Sequence, residues 1–575
     1  MVTHDEEADA LLDEFELANE NARIGDNSVS SAFLKSQPRS MIPQVKRPCR
    51  VGFIATLIMV TLLLAFTFVV SLTSGKEQPS GNDTRSLLGI QLHPNEHIYR
   101  PSTTLVFDWN ITTGIRSPDG VEKQVYLIND EFPGPTIETR SGDRLEVHVH
   151  NGLPNGVSLH WHGLRMKNQN LMDGAVGLTQ CPIPPGSSFV YNFTIGDEER
   201  GTFWWHSHSD VQRADGLWGG LIVHSPEETS PPQEDYLVMV GDWFHQNQTD
   251  VLAWYADASS RGNEPVPDSL LLNGRGRFNC SMAVPARPIT CTQVVANELR
   301  PVFGPSDSGI MRLRVVNTGT ISGFAMRIDG ATMQPLRVDG GFDVLSESAK
   351  TVGILYPGER VDLVVNWRED HSGGRRLTIF MDDENFGYPN PALNPVQTFP
   401  VFNDDLDVSN LEQANQDLEP SETQILDARN LKAATRVSDI PAKAEQTFLL
   451  YAKTEKLAHM DYEPVGFINH TSWKPQNPPL LAQNRSAWDA NQLIPFISMT
   501  PGKPTRVDLI INNLDDGAHP FHLHGHSFYV LSSYKEEGRG GWGSYNPYSG
   551  RDPPNGLDLD FPVRKDTLSP SWLLH

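Results

Sequence analysis

The sequence predicts an all-β protein of three sandwich-like domains behind a single N-terminal transmembrane helix. Three observations predict it. Short runs rich in Val, Ile, Phe and Trp, such as SFVYNFTI, TFWWHSH, YLVMVGDWF, RVDLVVNW and RLTIFMDD, are separated by Pro-Gly and Asp-Gly turn signals and read as strands. One strand-and-loop pattern recurs three times along the chain, the mark of repeated units. Residues 51–72 are 22 consecutive uncharged, mostly apolar positions, about 33 Å as a helix and enough to cross a bilayer core of about 30 Å.

The N-terminal elements come first. Some 50 residues precede the apolar run, too many for a cleaved signal peptide. Lys35, Arg39, Lys46, Arg47 and Arg50 lie before it, and Lys76 is the only base in the ten residues after it, which keeps residues 1–50 in the cytoplasm. The lipid bilayer is thus an expected partner through residues 51–72. The rest of the chain becomes extracellular or lumenal. All seven N-glycosylation acceptors, Asn82, Asn110, Asn192, Asn247, Asn279, Asn469 and Asn484, lie beyond the span, in agreement with that orientation. Residues 1–30 carry nine acids against one base and read as an acidic tail without a core.

At 575 residues the chain has room for three or four domains, and 46 Gly with 43 Pro supply their turns. Asp and Glu number 71 against 46 Lys and Arg, a net charge of −25 that repels phosphate backbones, so nucleic acid is not an expected partner. Four cysteines, Cys49, Cys181, Cys280 and Cys291, are too few for a disulfide scaffold and too scattered for a CxxC metal site. Cys280 and Cys291 are placed for a local disulfide in an oxidising compartment.

The repeat appears when Arg144-LEVHVHNGLPNGVSL-His160-WHG is laid beside Arg506-VDLIINNLDDGAHPF-His522-LHG. In each, Asn follows Arg by seven residues (Asn151, Asn513) and HxHG begins sixteen residues after Arg. A third copy aligns on Asn317, with Met326 and Ile328 where the others have histidines. The repeats place domains at about 90–230, 235–400 and 444–575. The acidic, weakly apolar stretch 403–443 reads as a surface linker.

In a strand, residues i and i+2 share a face, so HxH aims two imidazoles at one metal or at two adjacent metals. Nineteen histidines form five such pairs, where random placement gives about 0.6. His148/His150 lies in an alternating strand without flanking glycine or tryptophan and reads as a polar sheet face; His526 reads as a packing or hydrogen-bonding residue. The remaining histidines, in HWHG, WWHSH and HPFHLHG, sit among aromatics and glycines at repeat-equivalent offsets, a metal-binding pattern. Imidazole alone suits zinc, copper, iron or nickel.

HWHG at 160–163, HSH at 206–208 and HPFHLHGHSF at 519–528 resemble the first three copper motifs of the multicopper oxidases, the family of laccases, ascorbate oxidases and ferroxidases. The likeness runs from about residue 95 to the end, through MDGAVGLTQCPIPPG, ADGLWGGLIVH and LLNGRGRF, and is strongest to fungal members. It implies three cupredoxin-like β-sandwich domains and copper as cofactor, four ions in a complete member. By position, His160 and His522 would bind type 2 copper, His162, His206, His208 and His524 the type 3 pair, and His519 type 1 copper. Asp173 in LMDG matches an aspartate that helps deliver protons to dioxygen, with a plain turn residue before Gly174 as the alternative.

The fourth family motif, HCHxxxH, does not occur. After FPVRKDTLSP the sequence ends SWLLH at His575, leaving seven of the ten family histidine ligands, a third domain expected to be short of strands, and no cysteine for type 1. Cys181 is expected to be free or to have lost a partner with the missing tail. An abrupt end to the recorded coding sequence is the favoured explanation. The function implied is a laccase-type oxidase that takes electrons from phenols, diphenols or pigment precursors and reduces dioxygen to water, its activity in doubt for the chain as given. A ferroxidase of iron uptake, oxidising ferrous ion, and a non-catalytic cupredoxin-like surface glycoprotein are the alternatives.

Overall fold

A computed structural model of the chain describes residues 87–575, apart from 229–230, 296–297, 305–308, 368–374, 403–424, 439, 499–504, 516, 536–544, 570–572 and 575. The acidic tail, the span expected at 51–72 and Asn82 lie outside the described residues. Among those described, no helix is long and apolar enough to cross a membrane. Strands dominate, as the short alternating runs predict, and they form paired sheets with cores between them.

The first pair joins the sheet made of Lys123–Ile128, Thr104–Arg116, Arg144–Asn151 and Ser188–Thr194 to the sheet made of Ile137–Arg140, Trp218–His224, Gly201–Ser207 and Leu159–His162. Trp109, Val147, Val149, Trp161, Tyr191, Phe193 and Trp205 fill the space between. Thr104–Arg116 alternates exposed with covered positions, as a half-solvated strand should. Trp218–His224 is buried throughout. One of its faces meets that core, while Trp218 and Ile222 meet Leu237, Met239 and Val316 of the middle sheets, which is why WGGLIVH reads as an unbroken apolar run.

The middle pair consists of an eight-stranded and a five-stranded sheet. The larger holds Asp235–Trp243, Ile310–Asn317, Arg360–Trp367 and Ala331–Val338; the smaller holds Phe324–Ile328, Thr351–Leu355, Arg375–Met381 and Val396–Val401. Two features depart from the boundaries read in sequence. Ile90–Gln91 pairs with Asp235–Trp243, so the chain enters on the middle sheet before building the first pair. Within the expected linker, Ile425–Asp427 and Lys432–Ala433 add edge strands to the two middle sheets. Leu426 and Leu431 pack on the middle core there, giving this otherwise polar stretch two apolar anchors.

The last strands form a six-stranded sheet, including Gln446–Lys456, Val507–Asn513, Phe528–Ser532 and Leu573–Leu574, and a two-stranded one, Phe521–His522 with Thr567–Leu568. Gln446–Lys456 is mostly half-exposed, whereas its counterpart Asp235–Trp243 is almost wholly buried. Ile511, Phe528, Val530 and Leu568 join the middle core.

The repeat has a structural counterpart. Arg144–Asn151, Ile310–Asn317 and Val507–Asn513 each run parallel to an earlier strand of the same sheet, pairing Asn151 with Ile111, Asn317 with Val240 and Asn513 with Ala452. Each asparagine is buried and clamps the loop that follows. Its Oδ1 accepts from the backbone N–H two residues on, at 2.9 Å for Asn151, 2.8 Å for Asn317 and 3.1 Å for Asn513. Its Nδ2 donates to a carbonyl four or five residues on, that of Asn155, Ser322 or Gly517. One loop geometry therefore delivers His160, Met326 and His522 to corresponding places. In the middle copy, Met326 and Ile328 are simply core.

Candidate metal centre

Six of the seven histidines singled out in the sequence converge where the first and last sheet pairs meet. His160 and His162 lie on Leu159–His162, which pairs with Gly201–Ser207 so that His160 faces His206. His208 follows that strand, His522 ends Phe521–His522, and His524 follows it. Ring centroids are 5.4 Å apart for His160 and His206, 5.6 Å for His160 and His208, 5.4 Å for His160 and His522, 3.7 Å for His162 and His522, and 5.0 Å for His208 and His524.

Hydrogen bonds fix the tautomers. His160 Nδ1 donates to the Asp173 carbonyl (2.8 Å), His522 Nδ1 to the Asp566 carbonyl (2.9 Å) and His206 Nδ1 to the Ser207 carbonyl (2.9 Å). A carbonyl only accepts, so the proton is on Nδ1 and each Nε2 carries a lone pair. The Nε2 atoms of His160 and His522 are 3.3 Å apart. Two such lone pairs repel unless a cation lies between them, and with nitrogen–metal bonds of about 2 Å this separation subtends an angle of roughly 110° at the metal. Nδ1 of His524 donates to Asp173 Oδ2 at 2.8 Å, so its Nε2 is likewise a lone-pair donor. His162 Nε2 is hydrogen-bonded to Thr567 Oγ1 at 2.7 Å.

Burial, reinforced by neighbouring imidazoles, keeps the rings of His162, His206, His208, His522 and His524 neutral. It pushes His162 and His206 well down and His208 down to about 3, with His160 adding to the effect on His206 and His208. His522 and His524 are lowered chiefly by burial too. Neutral imidazole is the form a metal binds, so the donor set fits copper. Ligand atoms of His160, His162 and His522, and of His160, Asp173 and His524, lie close enough to share an ion.

Asp173 does more than turn the chain. Gly174 beside it has φ +85°, and a Cβ there would stand 1.9 Å from the Leu159 carbonyl, so only glycine permits this close approach. Burial alone would raise the Asp173 carboxyl; the His160 and His524 rings bonded to it hold it well below the usual carboxylate range. Sequence reading missed a second group of orienting residues. Asp566 and Thr567 position His522 and His162, and Arg360 of the middle sheet clamps the Asp566 carboxylate with two 2.6 Å contacts. RKDTLSP was visible as a family segment, but no spacing rule marked these side chains.

His519 stands apart from the six, in the non-strand segment before Phe521–His522. Its Nε2 bonds Asp515 Oδ2 at 2.8 Å, and it lines a cleft of about 640 Å³ with Tyr255, Glu264, Glu384, Asn385 and Lys456. Pro520 borders both this cleft and the cavity of about 530 Å³ at the imidazole cluster. His148 bonds Glu146 and Asp108, His150 bonds Ser188, and His526 bonds the His524 carbonyl, so all three are spent on local contacts. Cys280 and Cys291 form a disulfide. Cys181 is exposed beside Asn477. No described cysteine lies beside His519 in its cleft; the residues present do not complete a type 1 site. Of the sequon asparagines, Asn110, Asn279 and Asn484 are exposed, while Asn192, Asn247 and Asn469 are half-buried.

Comparison with known proteins agrees with this geometry. Three multicopper oxidase family models match residues 110–228, 234–375 and 469–569. Laccase-1 of Cryptococcus neoformans var. grubii is 34% identical over 498 residues, covering 82% of this chain and 75% of its own. The iron transport multicopper oxidase FET3 of Gibberella zeae is 31% identical, covering 81% and 70%. The crystal structure of Fet3p, a multicopper oxidase that functions in iron import, shares the fold with a TM-score of 0.69 at 24% identity, covering 82% of this chain and 85% of that one. The chain belongs to the multicopper oxidase family, copper-dependent oxidoreductases of cupredoxin-like fold.

Proposed function

We propose that this protein is a laccase-type oxidase, taking electrons singly from a phenol, diphenol or pigment precursor and passing four to dioxygen, which becomes two waters. His160 and His522 hold one copper, and His162, His206, His208 and His524 hold a pair. Copper bound there supplies the electron transfer to dioxygen. The chain's own groups orient and insulate it: the Asp173 carbonyl and carboxylate hold His160 and His524, the Asp566 carbonyl holds His522, and Trp204 packs 4.4 Å from His206 and 5.1 Å from His162. Asp173 holds His524 through Oδ2, which leaves Oδ1, 3.3 Å from His160 Nδ1, as the less engaged oxygen to take a proton.

The cleft beside His519 carries the choice of reductant. Two of its carboxylates are already engaged, Glu384 with Lys535 (2.7 Å) and the Tyr356 hydroxyl (3.0 Å) and Asp515 with His519 and the Thr454 N–H, while Glu264 takes a long 3.4 Å bond from the Tyr255 hydroxyl and keeps acceptor capacity. A ferrous ion needs free carboxylates, whereas a phenol needs an aromatic wall and a hydrogen-bond acceptor, which Tyr255, Phe386 and Glu264 offer. The three acids in one cleft are what favours the second reading, a ferroxidase. Initial rates with a diphenol and with ferrous ion, measured on the full-length gene product, test this. Faster diphenol oxidation is expected, faster ferrous oxidation reverses the assignment, and bound copper without turnover of either favours the non-catalytic surface glycoprotein.

The same reading places the sheets outside the cytoplasm, tethered by residues 51–72. The Cys280–Cys291 disulfide needs an oxidising compartment, and Asn110, Asn279 and Asn484 are open to glycosylation. Protease protection of sealed membranes, with the sheets shielded and the N-terminal tail cleaved, is the expected topology result.

A further inference from the structure

A second group of imidazoles lies at the far end of the sheet that carries His160 and His206. Trp218 faces His206 across that sheet, and His224 stands six residues further along the same strand, about 20 Å away at about 3.3 Å per residue. Glu138 comes from the neighbouring parallel strand, and His97 from the short helix Pro94–Ile98 that His93 precedes. Glu138 Oε2 is 2.9 Å from His224 Nε2 and 4.0 Å from His97 Nε2, and Glu138 Oε1 is 3.1 Å from His93 Nδ1. Ligand atoms of His97, Glu138 and His224 all lie within 4.8 Å of one another. The His224 ring is fully buried and its Nδ1 has no hydrogen-bond partner among the described residues, so its polar contact there is on the Glu138 side.

We propose that His97, Glu138 and His224 form a binding site for one zinc-class divalent transition ion, separate from the copper cluster, with His93 orienting Glu138 through its ring and its backbone N–H, so that the ion pins residues 93–98 to the sheet. Two imidazoles and a carboxylate, with water in the fourth position, are a zinc-type donor set and exclude calcium or magnesium, which take oxygen ligands. Burial lowers His97 and His224 below the ordinary histidine value, so both offer a neutral ring at pH 7. One group opposes the ion. Arg100, anchored on both oxygens of Asp143, also donates to His97 Nδ1 at 3.2 Å. Binding through His97 Nε2 moves that ring's proton to Nδ1 and gives up the Arg100 contact; at His224 the proton moves to the unpartnered Nδ1.

The test uses the full-length protein with its copper sites filled, dialysed against Zn²⁺ and analysed for both metals. One zinc per chain is expected beyond the copper. His93→Ala removes the ring that orients Glu138 and is expected to weaken zinc binding about tenfold with copper content unchanged; His97→Ala with Glu138→Gln is expected to abolish it. Co²⁺ in place of Zn²⁺ should give tetrahedral visible bands that vanish in the same variants. Failure of the wild type to bind zinc, or zinc binding unaltered in both variants, overturns the site and leaves a histidine–carboxylate hydrogen-bond network.

Discussion

Nε2 of His160 and Nε2 of His522, 362 residues apart in sequence, face each other at 3.3 Å, each with its proton held on Nδ1 by a backbone carbonyl. Two lone pairs are thus fixed at a bite a metal can close, by carbonyls that no side-chain substitution removes. The orienting groups outside the ligand set are open to mutation, and they give the first prediction.

Asp173→Ala removes the acceptor of His524 Nδ1–H while leaving the carbonyl that holds His160. Copper affinity at the cluster is expected to fall about 10–100-fold. Metal analysis after dialysis against a graded chelator measures it, and unaltered retention would assign Asp173 to the turn alone.

Asn317→Ala isolates the loop clamp from metal binding, because its copy of the repeat carries Met326 and Ile328 instead of histidines. The substitution strands Gly319 N–H and the Ser322 and Leu355 carbonyls in a buried loop. A loss of about 1–3 kcal/mol is expected, read as a lower midpoint in thermal or urea unfolding with copper content unchanged.

Asp235 sets a pH dependence. Burial would raise its carboxyl, but Arg314 and Arg312 hold it well below the ordinary value. The unfolded chain therefore binds the proton first as pH falls. The stabilisation is complete above the unfolded value of about 3.9 and is lost progressively below it. Asp235→Asn removes the carboxylate shared by two buried guanidiniums, leaving Arg312 to Glu228 and Arg314 to Asp362, and is expected to cost about 3 kcal/mol at pH 7. The difference from wild type should narrow only below about pH 4, as followed by acid titration of the unfolding midpoint.

Cys280→Ser with Cys291→Ser opens a loop whose ends are 11 residues apart in sequence. Loop-closure entropy puts the loss at roughly 2–3 kcal/mol. The loop lies outside the imidazole cluster, so copper content should be unchanged while the thermal midpoint falls; loss of copper would show that the loop supports the centre.

By itself the sequence determined the β class, the three-fold recurrence and six of the residues that converge, because strand periodicity, turn residues and HxH spacing are local and survive in one dimension. His148 and His150 were legible as local contacts for the same reason, their flanking residues lacking the aromatics and glycines of the other pairs. Only the tertiary structure decided that HWHG and HLHG meet across 362 residues, that Asp173 serves two rings, and that Arg360 of the middle sheet fixes Asp566 beneath His522. The same holds for Leu426 and Leu431, which turn part of an apparent linker into sheet edge. These contacts join segments far apart in the chain, and their geometry follows from how whole sheets pack, a relation that no spacing within one segment encodes.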